Sequence, residues 1–284
     1  MTTFFRGHLS LTTAFVFIFV LLSTATVTAK TVEGTADPAG HLYLVSTGTG
    51  ELDNMTLRAH RILTEADIYF AMRPETARKM YADLIGDKPV YEAGHGLFTP
   101  HLRHGPKEKQ ELLENKARTI IRDAVTKGKN VAVLCSGDPT IFCPHTGFMT
   151  EFKDLTPTMI PGISSFNAAN AALGRSITSG RTSRSVILTA AMGAGGKYKG
   201  TDSLKKLAES RSTMVFFTMG SRLSDVVTEL KTHYPGDTPI AIVFHAGSRE
   251  NENIVTATLD TIGDRVGSGK LPFEHLIYVG DFLR

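Results

Sequence analysis

From His41 onward, short runs of β-branched and aromatic residues alternate with longer stretches whose apolar residues recur every three or four positions. Residues 42–45 (Leu-Tyr-Leu-Val) read as a strand, and residues 55–67 as a helix with Leu57, Ile62, Leu63 and Ala66 on its apolar side. Ile68, Tyr69 and Phe70 start a second strand, residues 74–84 return to helical spacing, and Val90-Tyr91 is extended. Residues 107–127 form a long polar-faced helix carrying Leu112, Leu113, Ala117, Ile120, Ile121 and Val125. The run at residues 130–135 is apolar without alternation, which predicts a central strand covered on both faces.

A second unit is expected to begin near Thr158, where Met159-Ile160 leads into Pro161-Gly162 and then a small-residue helix over residues 164–173. Strands come next at residues 185–189, 213–218, 240–245 and 276–279, with helices at 202–209 and 223–231. Alternation of this kind is the mark of βαβ units and mostly parallel sheets. The expected architecture is therefore α/β, with an N-terminal half over residues 41–157 and a C-terminal half over 158–284. Pro157 and Pro161 flank the crossing. No internal repeat or low-complexity tract interrupts the pattern.

The first forty residues differ in kind. Arg6 stands in a short positive segment, residues 9–27 are apolar, and Val27-Thr28-Ala29 are small, which together read as an export signal cleaved after Ala29. The same stretch approaches the roughly 20 residues that span a bilayer, so a retained membrane anchor is the alternative. Either reading places the α/β portion of the chain outside the cytoplasm. Residues 30–40, broken by Gly34, Pro38 and Gly40, read as a linker.

Composition narrows the chemistry. Lysine and arginine number 31 against 28 aspartate and glutamate, with no basic run dense enough to track a phosphate backbone, so nucleic acid is not an expected partner. Two cysteines exclude a disulfide-dense scaffold, and no Cys/His quartet has the spacing of a zinc site. Cys135 and Cys143 flank a turn, where they are either bonded or two buried thiols; an α-carbon separation within about 7 Å is required for the bond. His95, His101 and His104 fall in one loop and read as solvated.

Three glycine-bearing turns each come after an apolar run, and open α/β sheets bind ligands at the carboxyl ends of their strands. The first is Ser46-Thr47-Gly48-Thr49-Gly50-Glu51. The second is Cys135-Ser136-Gly137-Asp138-Pro139-Thr140-Ile141-Phe142. The third, Pro161-Gly162-Ile163-Ser164-Ser165-Phe166-Asn167, opens a helix with Ser164 placed to cap it. Each has a plain structural explanation by itself, as a reversal or a cap. Ala191 to Lys197 looks like a phosphate loop, but its spacing fails and Tyr198 stands where a hydroxyl should bind magnesium.

Taken in order with Val215-Phe216-Phe217-Thr218-Met219, Pro239-Ile240-Ala241-Ile242-Val243 and Leu276-Ile277-Tyr278-Val279-Gly280, these turns resemble the tetrapyrrole (corrin and porphyrin) methylases. The resemblance implies two α/β domains with S-adenosylmethionine (SAM) folded in the cleft between them, a tetrapyrrole or other small-molecule acceptor, and a homodimer. It places Thr49 near the donor, and Ser136, Gly137, Asp138 and Ile141 beneath its methionine part. Ser164 and Ser165 match the paired small or hydroxyl residues of the third motif, Met219 the methionine after its strand, Ala246-Gly247 a turn over the adenosine, and His275 a donor-contacting histidine of some relatives. The sequence departs from the pattern in the first turn, where Thr49, Glu51 and Leu52 replace proline, acid and proline, and at Cys143, commonly glycine.

Methyl transfer from a sulfonium is an in-line displacement that needs alignment and a dry cleft more than it needs a metal. Glu51, Asp138, His245 and His275 are the candidate titratable groups, and no catalytic base is assigned among them. Two other functions compete: an exported ligand-binding protein that has lost catalysis, and a peptide-backbone N-methyltransferase of the same superfamily.

Overall fold

The computed structural model describes residues 40–102, 105–190, 200–217, 223–267 and 271–284. The expected signal, the linker up to residue 39, the segment resembling a phosphate loop, His104 and Met219 lie outside the described residues. Among the described residues no helix is long and apolar enough to cross a membrane.

The first sheet is built from β1 (Leu42–Ser46), α1 (Leu57–Glu65), β2 (Ile68–Ala71), α2 (Pro74–Met80), α3 (Ala82–Ile85), β3 (Val90–Glu92), α4 (Lys107–Thr126), β4 (Val131–Cys135), α5 (Gly147–Glu151) and β5 (Thr158–Ile160). Its strand order is β3-β2-β4-β1-β5, parallel throughout. The two-residue period of a strand divides the side chains between two cores. Leu42, Leu44, Val131, Val133 and Cys135 face α4 and α5 with Phe148 and Phe152, whereas Val45, Ala132 and Leu134 face α1, α2 and α3.

Two expectations change here. The predicted helix over residues 74–84 is two helices, because Tyr81 (φ −113°, ψ 24°) leaves the helical region while its ring is buried in the core beside Ile85. Thr158–Ile160, expected to lead into the second half, instead pairs in parallel with β1 and completes the first sheet. Met159 packs on one of that sheet's cores and Ile160 in the other, so the alternation of this short strand matches the first sheet's two faces. The chain therefore passes from one sheet to the other between Ile160 and Val186.

The second half comprises α6 (Ser165–Leu173), β6 (Val186–Thr189), α7 (Leu204–Ala208), β7 (Thr213–Phe217), α8 (Leu223–Leu230), β8 (Pro239–Phe244), β9 (Asn253–Thr258), α9 (Ile262–Val266) and β10 (His275–Val279). The order is β6-β7-β10-β8-β9, and only β6 and β7 are parallel. The mostly parallel sheet expected here is thus mixed, because β9 returns as a hairpin partner of β8 and β10 is inserted antiparallel between β7 and β8. Met214, Phe216, Ile240, Ile242, Ile277 and Val279 bury one face under α7, α8 and α9. Val215, Ala241, Val243, Leu276 and Tyr278 bury the other, against α6.

The start of α6 is fixed by a capping box: Ser164 Oγ accepts from the Asn167 amide, and the Asn167 side chain accepts from the Ser164 amide. The alanines of α6 let it lie close on the sheet, where Tyr278 Oη donates to the Phe166 carbonyl at 3.0 Å. Tyr278→Phe removes that bond and leaves the packing, so thermal unfolding should show a loss of about 1 kcal/mol. An unchanged melting temperature would mean that the hydroxyl contributes nothing to holding α6.

Candidate functional site

After β1 the chain turns to α1 on one face of the first sheet, and after β4 it turns to α5 on the other. Because β1 and β4 are neighbours and the segments leaving them part to opposite faces, their carboxyl ends form a switch point, the place at which open α/β sheets bind ligands. Backbone groups leaving a ladder there need new partners. The first and second turns supply them to each other. The Thr47 amide donates to the Cys135 carbonyl at 2.9 Å, and the Gly137 amide to the Gly48 carbonyl at 2.7 Å. Ser46, fully buried, donates through Oγ to the Gly137 carbonyl at 2.7 Å and accepts from the Gly48 amide at 3.1 Å.

The third turn closes on this pair. A β-carbon at Gly162 would lie 2.0 Å from Ser46 Oγ, so only glycine fits against the buried hydroxyl. A β-carbon at Gly137 (φ +77°) would meet the Ser164 α-carbon at 3.8 Å and the Ser165 nitrogen at 3.9 Å. Asp138 binds the second turn to the third, one carboxylate oxygen accepting from the Thr140 amide and hydroxyl, the other from the Gly162 amide at 3.2 Å. Burial pushes the Asp138 carboxyl upward, but the hydrogen bonds from Thr140 and Gly162 outweigh it and hold the group below the usual carboxylate range. It is ionised at neutral pH.

The first turn also reaches the second half of the chain. The Glu51 amide donates to the Gly247 carbonyl at 3.0 Å. Asn54 Nδ2 donates to the Thr49 carbonyl at 2.8 Å and more weakly to that of Gly247 at 3.4 Å. Glu51 accepts from the Arg249 amide at 2.9 Å, and the Arg249 guanidinium pairs with Asp53. The Gly247 amide is held by Glu252 at 2.8 Å. At Gly50 (φ +72°) an added β-carbon would stand 2.1 Å from the Gly247 carbonyl, so both the conformation and the approach require glycine. A second contact joins the halves through Phe142, whose ring lies 4.8 Å from that of Phe217.

Of the residues named from the sequence, Ser136, Gly137, Asp138, Ser164 and Ser165 thus come together at the switch point, and Thr49 meets Gly247 across the seam, with Ala246 beside it. Ile141 is half-buried in the second turn, and its amide donates to the Asp138 carbonyl at 3.1 Å. His275 begins β10 opposite Phe244, the residue before the His245-Ala246-Gly247 turn. Burial pushes its imidazole below the ordinary range, opposed by hydrogen bonds to the backbone of Pro272 and Phe273. Met219 lies outside the described residues.

The four candidate titratable groups are each engaged in structure. Glu51 holds the Arg249 amide, Asp138 braces the turns, His245 Nδ1 is 2.9 Å from Glu274, and His275 Nδ1 contacts the Pro272 carbonyl. His245 lines an open concavity of about 490 Å³ with Phe244, Arg265 and Pro272, none of whose lining residues belongs to the three glycine-bearing turns. Asn54, Arg249 and Glu252 are the residues that sequence reasoning missed, and Phe142, named there as the end of the second turn, was given no role. Asn54 sits beside a glycine turn already singled out, and that proximity was the available signal.

The groups brought together at the switch point are the ionised Asp138 carboxylate, several hydroxyls, glycine backbone and the apolar Ile141. That set suits an amino-acid and ribose ligand of SAM's kind better than a metal, which would call for clustered histidine, cysteine or carboxylate ligands. Cys135 and Cys143, whose pairing the sequence left open, are joined by a disulfide with α-carbons 6.6 Å apart.

The family model of the tetrapyrrole (corrin/porphyrin) methylases matches residues 41–263. The chain is 28% identical to the precorrin-4 C(11)-methyltransferase of Rhodococcus erythropolis, over 85% of this chain and 91% of that protein. Among solved structures it is similar to a cobalamin biosynthetic cobalt precorrin-4 methyltransferase, with a TM-score of 0.69 at 22% identity, covering 86% of this chain and 96% of the other. A uroporphyrin-III C-methyltransferase from Thermus thermophilus, in complex with S-adenosylhomocysteine, matches with a TM-score of 0.59 at 22% identity, over 86% and 99% of the two chains.

Beneath the second turn, His145 is buried beside Phe148, and its amide donates to Cys143 Sγ at 3.4 Å. Burial, with a smaller contribution from the charge of His95, pushes its imidazole down to about 4. The unfolded chain would bind this proton near pH 6.5 and the folded chain only near 4, so folding loses stability as pH falls through that interval. The full loss is about 3 kcal/mol. His145→Leu should lose less stability than the wild type between pH 7 and pH 4 in thermal or urea unfolding. Equal losses would show that His145 does not titrate in this way.

Proposed function

The chain belongs to the tetrapyrrole (corrin/porphyrin) methylases, and from that premise we propose that it methylates a ring carbon of a precorrin-like tetrapyrrole with SAM as donor. Position C11 of a precorrin-4-type ring is the first acceptor to test, because the similar proteins include a precorrin-4 C(11)-methyltransferase. The observation that carries the proposal is the junction of three turns at the switch point, where Asp138 ties the second turn to the third while Ser46 ties the first to the second.

Bound SAM would supply a methyl group on a sulfonium, open to in-line displacement. The chain's part is to hold and align. In this proposal Ser136, Gly137, Asp138 and Ile141 cradle the amino-acid end, with the ionised Asp138 carboxylate offering the charge that an ammonium needs. Thr49, Ser164 and Ser165 border the site, and Ala246, Gly247 and His275 line its second-half side. An electron-rich ring carbon attacks without prior loss of a proton, so no strong base is required. The structural engagement of Glu51, Asp138, His245 and His275 agrees with that chemistry. Neither peptide-backbone N-methylation nor a purely ligand-binding role gains support from the named relatives, which are carbon methyltransferases. An extracytoplasmic location, expected from residues 1–29, belongs to the same proposal, and the Cys135–Cys143 disulfide agrees with an oxidising compartment.

Calorimetric titration with SAM and with S-adenosylhomocysteine should give saturable one-site binding. Asp138→Ala should weaken it by roughly ten- to a hundredfold, the scale of losing charge-assisted hydrogen bonds. Label from methyl-labelled SAM should then appear in a precorrin-4-type acceptor. A folded protein that binds neither ligand would overturn the proposal.

A further inference from the structure

Cys135 is the last residue of β4 and Cys143 lies eight positions later, so their disulfide closes a covalent ring around the whole second turn. Held from the first and third turns are the early part of that loop, through the Gly137 amide and carbonyl, and Asp138. Beyond Thr140 the loop is held differently. Phe142 is 45% exposed, carries a positive φ of 53° unusual for a residue with a side chain, and packs only across the cleft on Phe217 among the described ring contacts. The disulfide fixes the far end of this loop to the end of the central strand.

Both cysteines also belong to the apolar core formed with Leu44, Val133 and Phe148, and both are buried. As thiols they would remain small apolar residues in that core, so the fold does not depend on the bond in the way that a small disulfide scaffold does. What the bond changes is the freedom of the loop beyond Thr140, including Ile141, which the other turns do not hold. A loop already held in its binding conformation loses less entropy when a ligand orders it.

We propose that the Cys135–Cys143 disulfide is a redox-sensitive clamp on the donor loop: the oxidised protein binds the donor tightly, and reduction by a dithiol weakens that binding. The proposal rests on the assignment of residues 136–142 to the donor site. The chemistry is thiol–disulfide exchange. A thiolate of the dithiol attacks one sulfur, forming a mixed disulfide and releasing the other cysteine thiolate. The second thiolate of the reductant then displaces the remaining cysteine, and two electrons and two protons pass to the cysteines as the reductant closes its own disulfide. Linkage makes the effect reciprocal. If oxidation tightens donor binding by some factor, bound donor must shift the thiol–disulfide equilibrium toward the disulfide by the same factor.

The test uses the full chain and S-adenosylhomocysteine as probe. Affinity is measured by calorimetry for protein oxidised with diamide and for protein reduced with dithiothreitol, with thiol labelling to establish each state. Reduction should weaken binding by roughly three- to tenfold. In mixtures of reduced and oxidised dithiothreitol, saturating S-adenosylhomocysteine should raise the disulfide-to-dithiol ratio by that same factor. Cys143→Ala should bind like the reduced protein and ignore dithiothreitol; if that variant fails to fold, the two states of the wild type still decide. Equal affinity in the two verified states, or thiols that diamide cannot join, would overturn the clamp and leave the methyltransferase reading intact. Absence of binding in both states would overturn both.

Discussion

The constraint on which the rest of the site depends is the satisfaction of backbone groups where two adjacent parallel strands part. Beyond Ser46 and Cys135 the chain leaves in opposite directions, and the sheet ladder can no longer pair those amides and carbonyls. A buried group left without a partner costs roughly 1–3 kcal/mol, so the divergence is stable only because the two turns bond each other. Ser46 does this from both sides, donating to Gly137 and accepting from Gly48. Its hydroxyl fills the space that a side chain at residue 162 would need, which is why the third turn can approach only as glycine. One buried serine therefore sets the spacing of three turns that are far apart in sequence.

That arrangement also explains the charge state of Asp138. Partial burial alone would favour a neutral acid. The amide and hydroxyl of Thr140 and the amide of Gly162 reverse the preference, and they are available because the turn residues before and after them are already locked. The ionised carboxylate is a consequence of hydrogen bonds from the Thr140 hydroxyl and the turn amides rather than of a nearby cation. Substitution at Ser46 or Gly162 would thus reach the electrostatics of the switch point without touching Asp138 itself.

The first sheet was legible because the runs at residues 42–45 and 131–135 are made of apolar and aromatic residues and are separated by helices with clear periodicity. The second was legible in four of its five strands but not in their directions. Asn253–Thr258, given no element from the sequence, runs Asn-Ile-Val-Thr-Ala-Thr without a two-residue alternation, so neither this edge strand nor its hairpin with β8 stood out. Nothing in local pattern reveals that β10 lies between β7 and β8. In the site, glycine turns marked where backbone had to bend or approach, and the resemblance assigned them an order. The partners of Asn54 and Glu51 lie 193 and 198 positions away, at Gly247 and Arg249, and no periodicity encodes such contacts.

Those contacts bear on the first turn, where Thr49 and Leu52 stand in place of the two prolines that the resemblance leads one to expect. Proline fixes φ before folding and is worth about 0.4–1 kcal/mol where its geometry is compatible. At Thr49 and Leu52 that advantage is absent. In its place Asn54 binds the Thr49 carbonyl, the Met55 amide closes a tight turn onto Leu52, and Glu51 engages both Gly247 and Arg249. Each net hydrogen bond contributes about 0.5–1.5 kcal/mol, so this set offsets the lost preorganisation. The replacement differs in kind, however. Prolines stiffen a turn by themselves, whereas bonds to Gly247 and Arg249 stiffen it only when the loop after β8 is in place. The first turn is therefore held from both halves, by Ser46 and the second turn at Thr47 and Gly48 and by the 245–252 loop at Glu51, so a shift of that loop reaches the rim beside Thr49.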